Sequence, residues 1–126
     1  MTDPILTVST ISKSFGSIHA VKDVSLSIIP GQIYGLVGPD GAGKTTTIRL
    51  ICGAFTPEKG SVSVGGFTLE RQPEQARELI GYLSQQFSLY EDLTVLENIR
   101  FLAEVRGLSK DEWLPRSREN LAFVGL

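Results

Sequence analysis

The sequence contains little cysteine and histidine and has no long apolar run. Among its 126 residues are one cysteine, Cys52, and one histidine, His19. A single cysteine excludes an internal disulfide and is compatible with a reducing compartment. The longest uncharged run, 24–39, is interrupted by Pro30 and Gly31, so it does not predict a membrane-spanning helix. The N-terminus lacks the basic and apolar regions of a signal peptide, and we expect a soluble, cytoplasmic chain.

The charge pattern gives no reason to expect a nucleic-acid partner. The formal net charge is −2, and the lysines and arginines are scattered without forming a basic run. The composition, 41% hydrophobic and 21% charged, is that of an ordinary globular protein. A chain of this length is one domain or a piece of one.

A glycine-rich segment, Gly38–Thr45, is the most informative feature of the sequence. It fits the pattern G-x-x-x-x-G-K-[ST]. The apolar segment Ile33–Val37 before it is typical of a buried strand. Thr46–Cys52 after it lacks glycine and proline and has apolar residues at helical spacing. Strand, glycine loop and helix in this order predict a phosphate-binding loop.

Each residue type in the loop has a physical reason to be there. The glycines adopt backbone angles closed to other residues and leave the amides open to a phosphate. The helix that follows adds unpaired amides and the positive end of its dipole. Lys44 would reach the β- and γ-phosphates, and the Thr45 hydroxyl would ligate Mg²⁺. The predicted nucleotide contacts in this segment are Gly38, Pro39, Asp40, Gly41, Ala42, Gly43, Lys44, Thr45 and Thr46.

The remaining patterns predict short β segments in the first two thirds of the chain and helices in the last third. Alternation predicts strands, turn residues separate them, and two capping boxes, Thr94 with Glu97 and Ser109 with Glu112, begin helices. Pro115 is expected to disturb the last helix. The predicted elements are strands Ile5–Ile11, Val24–Ile28, Val62–Val64 and Ile80–Leu83, a turn at 12–17, and a helix over Glu74–Leu79. Because no further strand–helix unit follows, we expect the front portion of something longer.

These residues resemble the ATP-binding domain of ABC transporters over most of the chain, roughly Leu6–Leu126. The match is closest over Gly35–Gly60 and Ile80–Asn98. Within these ranges, Gly35–Thr47 and Leu89–Asn98 look like the subgroup that serves multidrug and ABC-2-type exporters.

The resemblance implies roles for two residues outside the loop. Phe15 lies where the family places an aromatic residue, usually tyrosine, that stacks on adenine, and a phenylalanine ring suffices for stacking. Phe15 as a residue that anchors its loop to the core is the alternative. Gln85 matches the family's catalytic glutamine loop, which meets Mg²⁺ or the attacking water and moves against the membrane subunit. Gln86 is the alternative if the register differs by one.

The resemblance also implies a fold, cofactors and partners. The fold is α/β, a P-loop NTPase with a RecA-like core and an N-terminal antiparallel β subdomain, here incomplete. Residues 1–86 would form the nucleotide-binding core, and residues 87–126 the exit of the glutamine loop and the start of the helical subdomain. The cofactors would be ATP and Mg²⁺. The partners would be membrane-spanning transporter subunits and a second ATP-binding domain, with the chain peripheral on the inner face of the membrane.

The sequence departs from the family pattern at several points. Asp40 replaces the commoner asparagine, and Ser84 replaces the usual proline before the glutamine. There is no Leu-Ser-Gly-Gly-Gln signature, no apolar strand ending in Asp-Glu, and no switch histidine, since His19 lies too early and reads as a surface or turn residue. We therefore expect this chain alone to bind ATP with little or no hydrolysis.

Two other readings remain open. The chain could be another P-loop NTPase, although β hairpins precede the loop and no guanine-recognising Asn-Lys-x-Asp occurs. It could also be a non-catalytic remnant that occupies the membrane partner without turning over ATP.

Overall fold

The computed structural model describes residues 2–86 and 88–126. The chain divides into two compact units, Met1–Leu83 and Ser84–Leu126. This division lies close to the boundary that we predicted after residue 86, and Phe87, where the second predicted part begins, lies outside the described residues. The identity of these units as core and helical subdomain stays a prediction. Within the described ranges, no helix has the length and apolar character needed to cross a membrane.

The first unit is built on an antiparallel sheet of four strands in the order β2-β1-β3-β4. The long central strand β1 pairs with β2 on one side and with β3 on the other. The register between β1 and β2 shifts after Val8, where Thr10 takes a positive φ of 45°. The strands are β1 (Leu6–Phe15), β2 (Ile18–Ile28), β3 (Lys59–Val64) and β4 (Phe67–Thr68).

One face of this sheet packs on a small apolar core. Val62 and Val64 of β3 are buried on the same face, in keeping with the alternation of side chains along a strand. Val8 and Ile11 of β1 are also buried although they are three residues apart, because the register shifts between them. Leu50, from the helix that follows the glycine loop, is fully buried among them. The predicted strands around Val8, Leu26 and Val62 are confirmed, since each lies within an observed strand.

Two helices complete the first unit. The predicted helix after the glycines is present as α1 (Lys44–Ile51), which begins at Lys44, two residues before the predicted start at Thr46, and buries Thr47 and Leu50. Helix α2 (Pro73–Glu78) has proline in its first turn, where the missing amide costs nothing, and buries Ala76 in the same core. Both predicted helices are therefore present.

The second unit contains two longer helices, α3 (Val95–Val105) and α4 (Lys110–Phe123). Both predicted capping boxes are confirmed. In each, the N-cap hydroxyl and the glutamate of the first turn satisfy the backbone amides of the other residue. These contacts explain why the helices begin at Val95 and Lys110.

Asn98 of α3 fixes the loop that leads into its own helix. Its side chain is buried, accepts a hydrogen bond from the Tyr90 amide at 2.8 Å and donates to the carbonyls of Tyr90, Leu93 and Thr94. The Tyr90 ring also meets the edge of Phe101, with centroids 5.1 Å apart. The loop over residues 90–94 is therefore held by one buried amide and one ring contact.

Two predicted strands are wrong. Ile33–Val37 and Ile80–Leu83 form no strand, and Ile33, Val37 and Leu83 are almost fully exposed, at 99%, 95% and 96%. A strand requires a hydrogen-bonded neighbour, and in the described residues each of the four strands pairs elsewhere. The apolar pattern of these segments is intact, but the described part of the chain supplies nothing for them to pair with.

Two smaller predictions are also wrong. Residues 12–15 continue β1 and do not form a turn, because they pair with both β2 and β3, and the chain turns only at Gly16 and Ser17. Pro115 does not interrupt α4, which continues to Phe123. The capping box at Ser109 begins the helix before the proline, so that the helix is already hydrogen-bonded on the N-terminal side of Pro115.

We expect the isolated chain to be marginally stable, to bind hydrophobic dye and to self-associate at micromolar concentration. Domains are stable by only about 5–15 kcal/mol, and each large aliphatic side chain left in water forfeits about 1.5–3 kcal/mol. Exposed apolar extended segments also recruit other chains. The residues concerned include Ile33 and Val37.

Light scattering and thermal melting test this expectation. Val37→Thr should reduce scattering more than Val105→Thr, the same chemical change at an exposed site on α3. ATP with Mg²⁺ should rescue the chain only partly, because a ligand stabilises the loop without supplying a neighbouring strand. A monomer that melts cooperatively above about 60 °C would contradict the expectation.

We expect the capping boxes to weaken in acid. Hydrogen bonds from Thr94 lower the pKa of Glu97 below its usual 4.5, and hydrogen bonds from Ser109 do the same for Glu112. A carboxyl whose pKa is depressed by folding stabilises the folded state above its unfolded pKa, and this contribution disappears as the pH falls through the folded pKa. The contribution of both glutamates should therefore be complete near neutral pH and lost below about pH 4.5.

Circular dichroism of helix content, combined with denaturant titration, measures this effect between about pH 6 and about pH 3. A variant with both Glu97→Gln and Glu112→Gln should lose less stability over that range than the wild-type chain. Equal pH dependence of the two proteins would show that the capping carboxylates do not contribute.

Candidate functional site

The glycine loop forms a tight turn immediately before α1. The Ala42 amide donates to the Pro39 carbonyl at 3.1 Å, which closes the turn around Asp40 and Gly41. Gly41 and Gly43 have φ of 80° and 95°, a region that favours glycine. Asp40 and Gly41 are exposed at the tip. The two glycines thus have the conformational role that the sequence predicted for them.

Gly43 lies directly against strand β2. A Cβ atom at this position would stand 2.2 Å from the Ala20 carbonyl oxygen, a distance that no side chain could occupy. Its absence lets the loop and the start of α1 rest on the strand backbone. This contact fixes the loop relative to the β1–β2 hairpin. No pattern in the sequence indicates that Ala20 is the neighbour of Gly43.

The Lys44 side chain folds back along the loop. Its ammonium group donates to the carbonyls of Gly38 and Pro39, the latter at 2.9 Å. A carbonyl is a weaker partner for an ammonium group than a phosphate is, because the carbonyl offers only a dipole whereas the phosphate carries a full negative charge. The ammonium is therefore held at the loop, next to the place where the pattern predicts phosphate.

The N-terminus of α1 carries no side-chain cap. Gly43 is its N-cap residue and offers no side chain to the first amides, whereas α3 begins with the Thr94 hydroxyl bound to the Glu97 amide. The Thr47 hydroxyl does not reach these amides either, since it donates to the Gly43 carbonyl at 2.8 Å. The amide donors and the positive dipole end of this helix remain available to an anion.

Thr45 and Thr46 lie in the first turn of α1. The Thr45 side chain is exposed, and its hydroxyl has no hydrogen-bond partner within the described residues, while Thr46 is partly buried. A free hydroxyl beside uncapped amides fits the single protein ligand that Mg²⁺ commonly takes in phosphate sites. In the described part of the chain, no group of three acidic, histidine or cysteine side chains forms a separate metal site.

Phe15 lies at the end of β1, in the hairpin that leads into β2. It pairs with Ile18 across the turn, is 43% exposed, and forms an edge-to-face contact with Phe55, with centroids 5.4 Å apart. The ring is thus partly anchored and partly open. Its predicted role on adenine and the alternative role as an anchor are both compatible with this position, so the assignment stays a prediction.

His19 forms a side-chain contact within the same hairpin. Its Nδ1 atom lies 2.8 Å from the Ser14 hydroxyl, on the opposite strand, and both residues are near the surface. The Ser14 amide also donates to Glu58 at 3.1 Å. These contacts hold the end of β1 in place and agree with the expectation of a surface histidine.

Gln85 and Gln86 belong to the second unit, whereas the loop belongs to the first. Both glutamine side chains are exposed, and the Ser84 hydroxyl donates to the Gln86 carbonyl at 2.6 Å. The predicted catalytic and metal-binding role of Gln85 therefore stays a prediction.

Cys52 follows α1 and is partly buried. Burial raises the pKa of its thiol, which keeps it protonated and poorly nucleophilic. This agrees with the role of a packing residue on the apolar side of the helix.

The chain is similar to known proteins over almost its whole length. The family model described as "ABC transporter" matches residues 21–126. The linearmycin resistance ATP-binding protein LnrL of Bacillus subtilis (strain 168) is 38% identical over 97% of this chain and 39% of its own length. The probable multidrug ABC transporter ATP-binding protein YbhF of Escherichia coli (strain K12) is also 38% identical, over 93% of this chain and 21% of its own length.

The similarity extends to a protein whose name indicates import. The Fe(3+) ions import ATP-binding protein FbpC of Rhizobium etli is 36% identical over 96% of this chain and 34% of its own length. The chain spans less than half the length of these curated relatives.

A solved structure confirms the fold. The ATP-binding cassette MJ0796, a dimer in a post-hydrolysis state bound to ADP and Pi, is 28% identical with a TM-score of 0.79, over 96% of this chain and 57% of that chain. The predicted fold class, an incomplete α/β P-loop NTPase fold with an antiparallel β subdomain, is confirmed. The match to the family model over residues 21–126 confirms the predicted resemblance as well. The chain belongs to the ABC transporter family, with the fold of its ATP-binding proteins.

Proposed function

We propose that this chain is the ATP-binding part of an ABC transporter subunit and that it holds ATP with Mg²⁺ at the glycine loop. The main support for the proposal is the N-terminus of α1, which has no side-chain cap. This N-terminus lies beside a loop that packs against β2 through Gly43. Free amides, a helix dipole and the Lys44 ammonium converge there, which is the set of donors that a polyphosphate requires.

In this proposal each predicted residue has one task. The backbone of Gly38–Gly43 and the first turn of α1 bind the phosphates, and Lys44 exchanges its loop carbonyls for phosphate oxygens. Thr45 would hold Mg²⁺, with Gln85 as a second ligand in the whole protein, and the ion would neutralise charge on the phosphates. Phe15 would stack on the adenine ring through its exposed face.

The whole protein would use ATP binding and hydrolysis to drive membrane-spanning subunits, together with a second ATP-binding domain, from the cytoplasmic face of the membrane. The solved dimer with ADP and Pi supports the pairing, since that relative assembles as two copies. Binding at the nucleotide site and movement of the membrane subunits would then be coupled.

We propose export as the direction of transport. Two of the relatives named above, both 38% identical to this chain, bear names that indicate drug resistance or multidrug transport. Percent identity itself does not separate the two directions, since relatives whose names indicate import are 36% and 40% identical. The resemblance of Gly35–Thr47 and Leu89–Asn98 to the exporter subgroup supports the same direction. Transport measured in membrane vesicles that contain the whole transporter would distinguish export from import.

Lys44→Ala should weaken ATP binding strongly. The substitution removes a charge-assisted contact with the phosphates, worth roughly 1.5–3 kcal/mol. Titration of fluorescent ATP measures the change, with Lys22→Ala, an exposed lysine of β2, as the matched control. Equal affinities of wild type and Lys44→Ala would disprove the phosphate site.

Phe15→Ala should weaken ATP and leave inorganic triphosphate unaffected, because only ATP carries a base that can stack on the ring. Phe15→Tyr should bind ATP as the wild type does, since tyrosine offers the same aromatic face. Competition titrations with both ligands measure this difference. If triphosphate binding falls as much as ATP binding, Phe15 anchors the hairpin and does not contact the base.

Hydrolysis by this chain alone should be near background. The donors at the loop can hold ATP, but the sequence contains no signature motif and no apolar strand ending in Asp-Glu to position water and stabilise the transition state. Phosphate release should therefore stay far below about 1 per second. Turnover above that rate that disappears in Lys44→Ala would show that the chain carries a complete catalytic site.

A further inference from the structure

Four side chains from three segments form a cluster of rings and cations beside α1. Phe15 of β1 meets Phe55, which follows α1, at an interplanar angle of 67°. The Lys13 ammonium lies 5.6 Å from the Phe15 centroid, and the Arg49 guanidinium lies 5.7 Å from the Phe55 centroid. Both distances are within the range of a cation–π interaction. The four groups therefore form a continuous contact from the hairpin to the last turn of α1.

The geometry of the two rings leaves room for a third. In an edge-to-face pair, one ring presents its edge to the face of the other. Phe55 therefore covers at most one face of Phe15, and Phe15 keeps 43% of its surface exposed. A planar aromatic ligand can stack on a face that Phe55 leaves open, once the Lys13 ammonium that lies over the Phe15 ring moves aside, while the contact with Phe55 persists.

Phe55 is attached to the helix that begins at the phosphate loop. Its amide donates to the Arg49 carbonyl at 3.3 Å, and the neighbouring Ala54 amide donates to the same carbonyl at 2.9 Å. The Phe55 side chain is partly buried and packs against the core of the first unit. Phe55 is therefore fixed relative to α1, whereas Phe15 lies at the end of a hairpin.

We infer that Phe55, held by Arg49, is a positioning residue that orients Phe15 for stacking on the base of ATP. This inference rests on the proposed ATP site. A ring that is already fixed loses less rotational freedom when the base binds, so more of the stacking free energy appears as affinity. Phe55 itself touches neither the base nor the phosphates, and its effect is confined to ligands that carry a base.

The experiment compares ATP with inorganic triphosphate on six forms of the 126-residue chain. These are the wild type, Phe15→Ala, Phe55→Leu, the double variant of these two, Phe55→Tyr and Phe67→Leu. Phe67 is the matched control, because it is partly buried against the same core and its loss removes a ring of equal size. Dissociation constants come from competition with fluorescent ATP.

Phe55→Leu should weaken ATP about two- to tenfold, the effect of one aromatic pair, and leave triphosphate unchanged. In the Phe15→Ala background the same substitution should cost nothing further, because the ring that it orients is gone. Phe67→Leu should leave the ratio of the two affinities at its wild-type value, and Phe55→Tyr should restore that ratio. Additive effects of Phe15→Ala and Phe55→Leu, or an unchanged ratio in Phe55→Leu, would overturn the inference.

Arg49→Gln provides a second test if Phe55→Leu does not fold. Arg49 is exposed, so its loss leaves the core intact, and the ATP-to-triphosphate ratio should fall in the same direction. An unchanged ratio in this variant would overturn the inference as well. If the proposed ATP site itself is wrong, the result is different: Lys44→Ala then binds both ATP and triphosphate as the wild type does.

Discussion

The close approach of Gly43 to the Ala20 carbonyl is the contact on which the candidate site depends. Only a residue without a Cβ atom can stand there, since a side chain would meet the strand backbone at 2.2 Å. Because Gly43 also ends the loop and precedes α1, the same contact fixes the loop, the helix and the hairpin relative to one another. In the phosphate-loop pattern, Gly43 is explained by the backbone geometry that its amide requires. In this chain Gly43 also has a second role, which is to pack against strand β2.

Helix α1 begins differently from α3 and α4, and the difference leaves only the N-terminus of α1, among these three, free to bind an anion. At the start of α3 the Thr94 hydroxyl and the Glu97 carboxylate each accept a hydrogen bond from the amide of the other residue, and at the start of α4 the Glu112 carboxylate accepts from the Ser109 amide and hydroxyl. A carboxylate of the chain itself therefore already lies at the N-terminus of each of these two helices. Helix α1 has a glycine at its N-cap, and its Thr47 hydroxyl is turned to the Gly43 carbonyl. A glycine at the N-cap weakens a helix by only a few tenths of a kcal/mol relative to a capping side chain, so keeping this N-terminus free for an anion costs the fold little.

The sequence predicted the loop, α1, the capping boxes and most of the antiparallel sheet, because each of these is encoded by local spacing. Phosphate loops need glycines at set positions, and capping boxes need two residues three apart. The strand predictions for Ile33–Val37 and Ile80–Leu83 were wrong, because the apolar pattern there is that of a strand but no strand forms. A strand is a pairwise structure, and an apolar pattern in one segment carries no information about whether its neighbour is at hand. Ala20 and Phe55 were missed for the same reason, since both matter through contacts with residues distant in sequence.

Helix α1 links the two ends of the proposed ligand. Its N-terminus offers amides beside Lys44, and just beyond its C-terminus Phe55 contacts the ring of Phe15. The hairpin that carries Phe15 is held at both points, by Gly43 against Ala20 and by Phe55 against Phe15. A ligand with phosphates at one end and a planar ring at the other would therefore meet two surfaces that a single helix keeps at a fixed separation. Such a separation can discriminate ligands by the distance between ring and phosphates, because a displaced ring gains no stacking and a displaced phosphate gains no amides.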